Sequence, residues 1–277
     1  MSFNDLLAKM AADTKPNRNE GDYEENGLLH CGKCHTPKQT EINLGGTVIK
    51  PYCMCKCEAE QYEYEEKARK IEMCRQQIAR NREVAFAEKD LRRCTFAADD
   101  KSNPKISDIA QRYVANFKRM RTEGKGLLFH GGTGTGKTFT AACIANALLD
   151  KGVNCLMTNF PRLINTLSGM YEGKQAYIDD LNRYSLLIID DMAVERSTEY
   201  VAEIVQNIID SRYRAHKPLI ITTNISYNEL MNPPDIRRQR LYSRLKEMCL
   251  LIEVKGKDRR EQKMAENIAE LSELLGL

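Results

Sequence analysis

The eight residues Gly131, Gly132, Thr133, Gly134, Thr135, Gly136, Lys137 and Thr138 constrain this chain more than any others. They fit the pattern G-x-x-x-x-G-K-[ST] and lie between an apolar run, GLLFH, and an uncharged helix-forming run, FTAACIANALL. That setting demands a strand ending in a tight glycine-rich turn, with a helix starting directly from the turn. Backbone N–H groups in such a turn point inward around a phosphate chain, and the positive end of the helix faces it. Lys137 then brings a cation to the β- and γ-phosphates, while the Thr138 hydroxyl is a ligand for Mg2+. The pattern therefore predicts an ATP·Mg2+ site. A glycine-rich turn by itself can be purely structural, but strand, loop, Lys-Thr and helix in succession leave that alternative little room.

A phosphate loop of this kind needs a parallel sheet behind it. Apolar runs at 126–130, 154–158, 185–190, 218–224 and 250–254 alternate with longer helical stretches. Strands this apolar are buried on both faces, so the expected class is α/β, a parallel sheet with helices on both faces. Ligands of such sheets gather at the carboxyl ends of the strands. There LLIIDD ends in Asp190 and Asp191, and PLIITTN ends in Asn224. Asp190 is placed to anchor Mg2+ together with Thr138, and Asp191 to orient or deprotonate the attacking water. Asn224 can hydrogen-bond the γ-phosphate or that water, although an Asn closing a strand at a turn is about as common without such a role.

The first 27 residues are polar and acidic and read as a flexible lead-in. Residues 58–93 contain no Gly or Pro and are rich in Glu, Lys, Arg, Gln and Ala, which predicts one long helix with a thin apolar seam of Ile71, Cys74, Ile78 and Ala85. Asn103 and Pro104 supply an N-cap and a first-turn proline for the next helix. Its packing face is Ile106, Ile109, Ala110, Tyr113, Phe117 and Met120. The expected organisation is thus a lead-in at 1–27, a cysteine module at 28–60, a helical connector at 61–98 and an ATPase domain at 99–277.

Length and composition suit this plan: 277 residues hold one nucleotide-binding domain plus a small module. The N-terminus has no secretory core and the run 138–149 is too short to span a bilayer, so the expected setting is cytoplasmic, without membrane contact. In that setting ten cysteines mean reduced thiols or metal binding. Five of them fall between 31 and 57: a C-x-x-C of Cys31 and Cys34, then Cys53, Cys55 and Cys57. This exceeds the four thiolates a structural Zn2+ takes, so Cys53 or His35 could replace a ligand. Net charge is only +3, yet ten Lys or Arg face five Asp or Glu between 235 and 263. A solvated surface accounts for such a run, and phosphate contact is the functional alternative.

The stretch GLLFHGGTGTGKTFTAACIANALL, the TN after the second strand, LLIIDDMAVERSTEYVAEIVQNIIDSRY and PLIITTN together resemble the bacterial DnaC/DnaI helicase loaders, within the AAA+ ATPases. The likeness covers roughly residues 95–265, with Ala193 standing where that family usually has Gly. The resemblance implies ATP-dependent loading of a hexameric replicative DNA helicase onto single-stranded DNA, with self-association through the ATPase domain. Asp191 is one methylene shorter than the Glu of many related ATPases, which fits slow hydrolysis. The resemblance also gives RLYSRL an arginine finger, with Arg244 the best match and Arg240 the alternative. Arg259 or Arg260 takes the place of a second sensor. It selects Cys31, Cys34, Cys55 and Cys57 as the zinc ligands and assigns the N-terminal module to the helicase. Phe160, Arg162, Tyr171 and Lys174 are candidate DNA contacts. Two rivals are a transposition-helper ATPase of the IstB type, against which the zinc module argues, and a non-catalytic adaptor switched by ATP, against which Asp191 and Asn224 argue.

Overall fold

The computed structural model describes residues 18–44, 46–86, 88–192 and 199–259, together with Ile268, Ser272, Leu274 and Leu275. Most of the lead-in, Gly45, Ala193, much of the ERSTEY stretch and Arg260 lie outside the described residues. The chain divides into two compact units, Met1–Arg75 and Gln76–Leu277.

The first unit is built from two small antiparallel hairpins, β1 (Tyr23–Glu25) with β2 (Leu28–His30) and β3 (Ile42–Leu44) with β4 (Thr47–Ile49). Helix α1, Lys56–Ala85, follows the last hairpin after the segment 50–55. So short a segment cannot bury much apolar surface, and it uses an ion network instead. The fully buried Lys38 ammonium lies 2.9 Å from both Asp22 and Glu58, and Glu58 also accepts from the Tyr52 hydroxyl at 2.5 Å. The Asp22 carboxylate further accepts from the Gly32 N–H, which ties β1 to the first cysteine turn. Hydrogen bonds from Lys38 and from backbone N–H groups hold Asp22 down at about 2.

In the second unit five strands form one parallel sheet in the order β6-β7-β8-β5-β9. They are β5 (Gly126–His130), β6 (Cys155–Asn159), β7 (Leu186–Asp190), β8 (Leu219–Thr223) and β9 (Cys249–Glu253). All five apolar runs are strands. Two separate apolar clusters cover the sheet. One is made by α2 (Pro104–Ala115), α3 (Phe117–Glu123) and α4 (Lys137–Asp150). The other is made by α5 (Phe160–Ser168), α6 (Lys174–Asp180), α7 (Glu199–Arg214), α8 (Tyr227–Met231) and α9 (Ile236–Met248). Asn103 caps α2 through its side chain with Pro104 in the first turn, as the sequence predicts. The expected single helix after it is two, divided at Asn116.

Helix α1 is shorter than the sequence predicts, ending at Ala85 instead of near residue 93. Phe86 is the physical reason. Its side chain is 3% exposed in the core, and its backbone bridges in parallel to Met157 on the edge strand β6. The chain continues as two 3-10 turns, Lys89–Arg93 and Phe96–Ala98. Ile71 and Cys74 of the anticipated seam are exposed, and only Ala85 is buried.

Candidate functional site

The phosphate loop leaves β5 at Gly131, whose φ of 139° suits glycine, and a Cβ there would run into the Val254 carbonyl oxygen. Gly134 is left-handed with φ 69°, and a side chain on it would strike the Asp258 carboxylate. Thr133 is exposed, whereas Thr135 is buried and donates to the Gly132 carbonyl at 2.9 Å, pinning the turn. Gly136 precedes α4 directly, so the helix starts at Lys137 with its positive end toward the loop.

The side chains singled out at the start of α4 and at the carboxyl ends of β7 and β8 meet here. Lys137 is buried, and its Nζ donates to the carbonyls of Gly131 (2.9 Å) and Gly132 (2.6 Å) and to Asn224 Oδ1 (2.8 Å). The Thr138 hydroxyl donates to Asp190 Oδ2 at 3.2 Å. Asn224 Nδ2 reaches Asp191 Oδ1 at 3.5 Å, so Asn224 spans the lysine and the second acid. Burial pushes the Asp190 carboxyl above the usual carboxylate range, the neighbouring Asp191 adds to this, and the hydroxyls of Thr222 and Thr138 oppose it. A half-buried acid beside a hydroxyl and a phosphate loop is the donor set that Mg2+ takes alongside phosphate oxygens.

Sequence reasoning missed two residues. Thr222 donates to Asp190 Oδ1 at 2.6 Å and accepts the Asp191 N–H at 2.9 Å. Glu88 accepts from Asn159 Nδ2 at 3.2 Å and, with Thr158 and Asp190, borders a narrow cleft at the end of β6. Thr222 is one apolar-strand threonine among others, and Glu88 is one acid in a helix-forming run, so neither carries a sequence signal.

The arginines fall in different places. Arg259 lies against the loop: its N–H donates to the Gly134 carbonyl at 3.1 Å, and its guanidinium sits beside Gly136 and contacts Ser102 and Asp100. Arg244 is bound within its own chain, 2.5 Å from Asp210 and over the Tyr213 ring, with 39% of its side chain exposed. Arg240 is exposed and makes no ion pair among the described residues. Of the four candidate DNA contacts, Phe160 is corrected: it is 4% exposed and packs in the core against the sheet, so it does not face a ligand. Tyr171 is fully exposed, Arg162 is exposed, and Lys174 donates to the Tyr200 hydroxyl at 2.8 Å.

In the first unit the sulfurs of Cys31, Cys34, Cys55 and Cys57 all lie within 4.8 Å of one another. Cys31 and Cys57 are 3.6 Å apart and Cys55 and Cys57 3.4 Å. A tetrahedral ion with Zn–S bonds of ~2.3 Å separates its sulfurs by ~3.8 Å, so the cluster fits zinc in number, kind and spacing. Backbone N–H groups of the first turn, Lys33 among them at 3.4 Å, point at Cys31 Sγ and lower its pKa. The Thr36 hydroxyl and backbone N–H groups pull Cys34 down to about 5. Cys53 turns away toward the Pro37 carbonyl, and His35 pairs with the Tyr23 hydroxyl, so neither joins the four.

Sheet order, phosphate loop and paired acids define a P-loop nucleotide-binding protein of the AAA+ class. Residues 63–267 match the IstB-like ATP binding proteins, and the chain belongs to that family. It is 27% identical over 191 residues to the replicative helicase loader DnaI of Bacillus subtilis (strain 168), covering 63% of this chain and 61% of that protein. It is 30% identical over 161 residues to an ATP-binding protein in an insertion sequence of Mycobacterium tuberculosis, covering 55% and 63%. The crystal structure of a DnaC helicase loader superposes with a TM-score of 0.53 at 26% identity, covering 61% of this chain and all of that one. The chain spans about half to three fifths of the length of the curated relatives it matches. Among the described residues no helix is long and apolar enough to cross a membrane.

Proposed function

We propose that this chain is a Mg2+-dependent ATPase that loads a hexameric replicative DNA helicase onto single-stranded DNA. The observation that carries the reading is the pairing of two units with separate chemistry. One holds Lys137, Thr138, Asp190, Asp191 and Asn224 in one network, and the other gathers four thiols that take no part in it. An ATPase that only turned over nucleotide would have no use for the cysteine unit. Curated relatives named DnaI and DnaC bear the description replicative helicase loader.

In this reading the N–H groups of the loop 131–138 bind the phosphates, and Lys137 gives up its loop carbonyls and Asn224 for the β- and γ-phosphate oxygens. Thr138 and Asp190 hold Mg2+, which when bound neutralises charge on the transferred phosphoryl group. Asp191 orients or deprotonates the water, and Asn224 reports the γ-phosphate to it. Arg259 reaches the loop from the segment that follows the neighbouring strand β9, as a second sensor. Arg244 serves a neighbouring subunit, so self-association completes the site. Cys31, Cys34, Cys55 and Cys57 would hold zinc, which when bound tethers the first cysteine turn to the start of α1. Arg162, Tyr171 and Lys174 face single-stranded DNA.

A second reading, a transposition-helper ATPase of the IstB type, is favoured by the family match and by the relative in an insertion sequence. Affinity capture with the purified chain and ATP from an extract of its source cells, with mass spectrometry of what is retained, separates the two. A hexameric helicase that then binds the purified chain directly supports loading, and a transposase in its place overturns it.

A further inference from the structure

We infer that Thr222 is a positioning residue for both acids of the nucleotide site, holding Asp190 at the metal position and turning Asp191 toward the water. The inference rests on the ATPase reading above and adds to it a residue that touches neither phosphate nor metal.

Thr222 is 2% exposed on β8, in the strand beside β7. A threonine hydroxyl has one proton and two lone pairs. Here the proton goes to Asp190 Oδ1 at 2.6 Å, a short bond of the charge-assisted kind, and a lone pair accepts the Asp191 N–H at 2.9 Å. One side chain thus ties two successive residues, the first by its carboxylate and the second by its backbone.

The second tie matters because Asp191 is left-handed, with φ 54°. Aspartate tolerates that region better than most residues, yet it is not where an unrestrained strand end rests. The backbone of β8 fixes the turn further: the Met192 N–H donates to the Thr222 carbonyl at 2.9 Å, and the Thr223 hydroxyl donates to the Met192 carbonyl at 2.7 Å. Thr222 and Thr223 therefore grip residues 190–192 from one side, while Thr138 reaches Asp190 through its other oxygen. An extended continuation of β7 would carry the Asp191 carboxylate away from Asn224, which follows the last residue of β8. In the left-handed turn it stays within 3.5 Å of the Asn224 amide.

Valine keeps the branched shape of threonine and removes both hydrogen bonds, whereas serine keeps the hydroxyl and removes only the methyl. The test compares Thr222→Val and Thr222→Ser with the wild type, measuring ATP binding without and with Mg2+, steady-state turnover and thermal melting. Displacing a reacting group by about 1 Å costs on the order of 10²-fold in rate. The expected result is that Thr222→Val binds ATP without Mg2+ within about 2-fold of wild type, loses most of the gain in affinity that Mg2+ gives, and falls on the order of 10²-fold in kcat. Thr222→Ser should stay within about 5-fold in kcat, since it restores both bonds. Wild-type kcat and Mg2+ response in Thr222→Val would overturn the inference. So would equal losses in both variants with matching falls in melting temperature, because the methyl and the packing would then be responsible. A wild-type protein that binds no ATP removes the ATPase reading itself, a result distinct from either.

Discussion

Lys137 shows how resting contacts and proposed role differ at a single residue. Its ammonium is bonded to two loop carbonyls and to Asn224, and these are the groups that ATP phosphates would compete with. A charge-assisted hydrogen bond contributes roughly 1.5–3 kcal/mol, so Lys137→Ala should weaken ATP binding by about 10- to 100-fold and abolish measurable turnover. Those acceptors lie at the mouth of the loop, where water can replace the lysine, so the melting temperature should stay within about 3 °C. Nucleotide titration beside a thermal melt checks both, and unchanged affinity would remove Lys137 from the site. The motif made this residue legible from its neighbours in sequence. Thr222 and Glu88 were not legible, because what distinguishes them is their position beside β7 and β6, which only the sheet order supplies.

At the scale of elements, strand runs were legible because burial on both faces leaves an uninterrupted apolar stretch, and the capping pair Asn103-Pro104 marked a helix start. The end of α1 was not legible: the composition through 93 favours helix, and the competing term is the burial of Phe86 against an edge strand distant in sequence. Arg212 is another case that only packing explains. It lies on α7 with no exposed surface, and its guanidinium donates to the carbonyls of Leu181, Tyr184 and Pro218. Burial pushes its pKa down to about 10, and it joins the helix to the entrances of β7 and β8. Arg212→Met leaves those carbonyls without their donor, so the expected loss is about 3 kcal/mol, or on the order of 10 °C in melting temperature. A melt within about 2 °C of wild type would mean that water substitutes freely there. The cysteine turns make a sharper prediction of the same kind. Elemental analysis under reducing conditions should find about one zinc per chain in the wild type and in Cys53→Ser, whose sulfur lies outside the cluster, and much less in Cys31→Ser or Cys57→Ser. Wild-type protein without zinc, or Cys53→Ser without it, contradicts the assignment of the four ligands.

For the whole molecule, the sequence announces two kinds of chemistry, and the structure gives each its own compact unit. What neither a sequence nor one chain displays is the neighbour that the Arg244 reading requires. Within its own subunit Arg244 pairs with Asp210 at a partly exposed site, and a pair of that kind contributes only about 0–1 kcal/mol. A finger acting on the ATP of a second subunit is a different matter, since its loss costs on the order of 10³ to 10⁵ in rate. Arg244→Ala keeps its own phosphate loop, and Lys137→Ala keeps its own finger. Assayed separately with single-stranded DNA, each should be nearly inactive while melting close to wild type. Mixed, some interfaces join an intact loop to an intact finger, and part of the turnover should return. Full activity in Arg244→Ala would move the role elsewhere, with the exposed Arg240 the next residue to test. If both variants are inactive and the mixture recovers nothing although size-exclusion chromatography shows them co-assembled, Arg244 acts through Asp210 and Tyr213 inside its own chain, and completion of the site by a second subunit is ruled out for this residue.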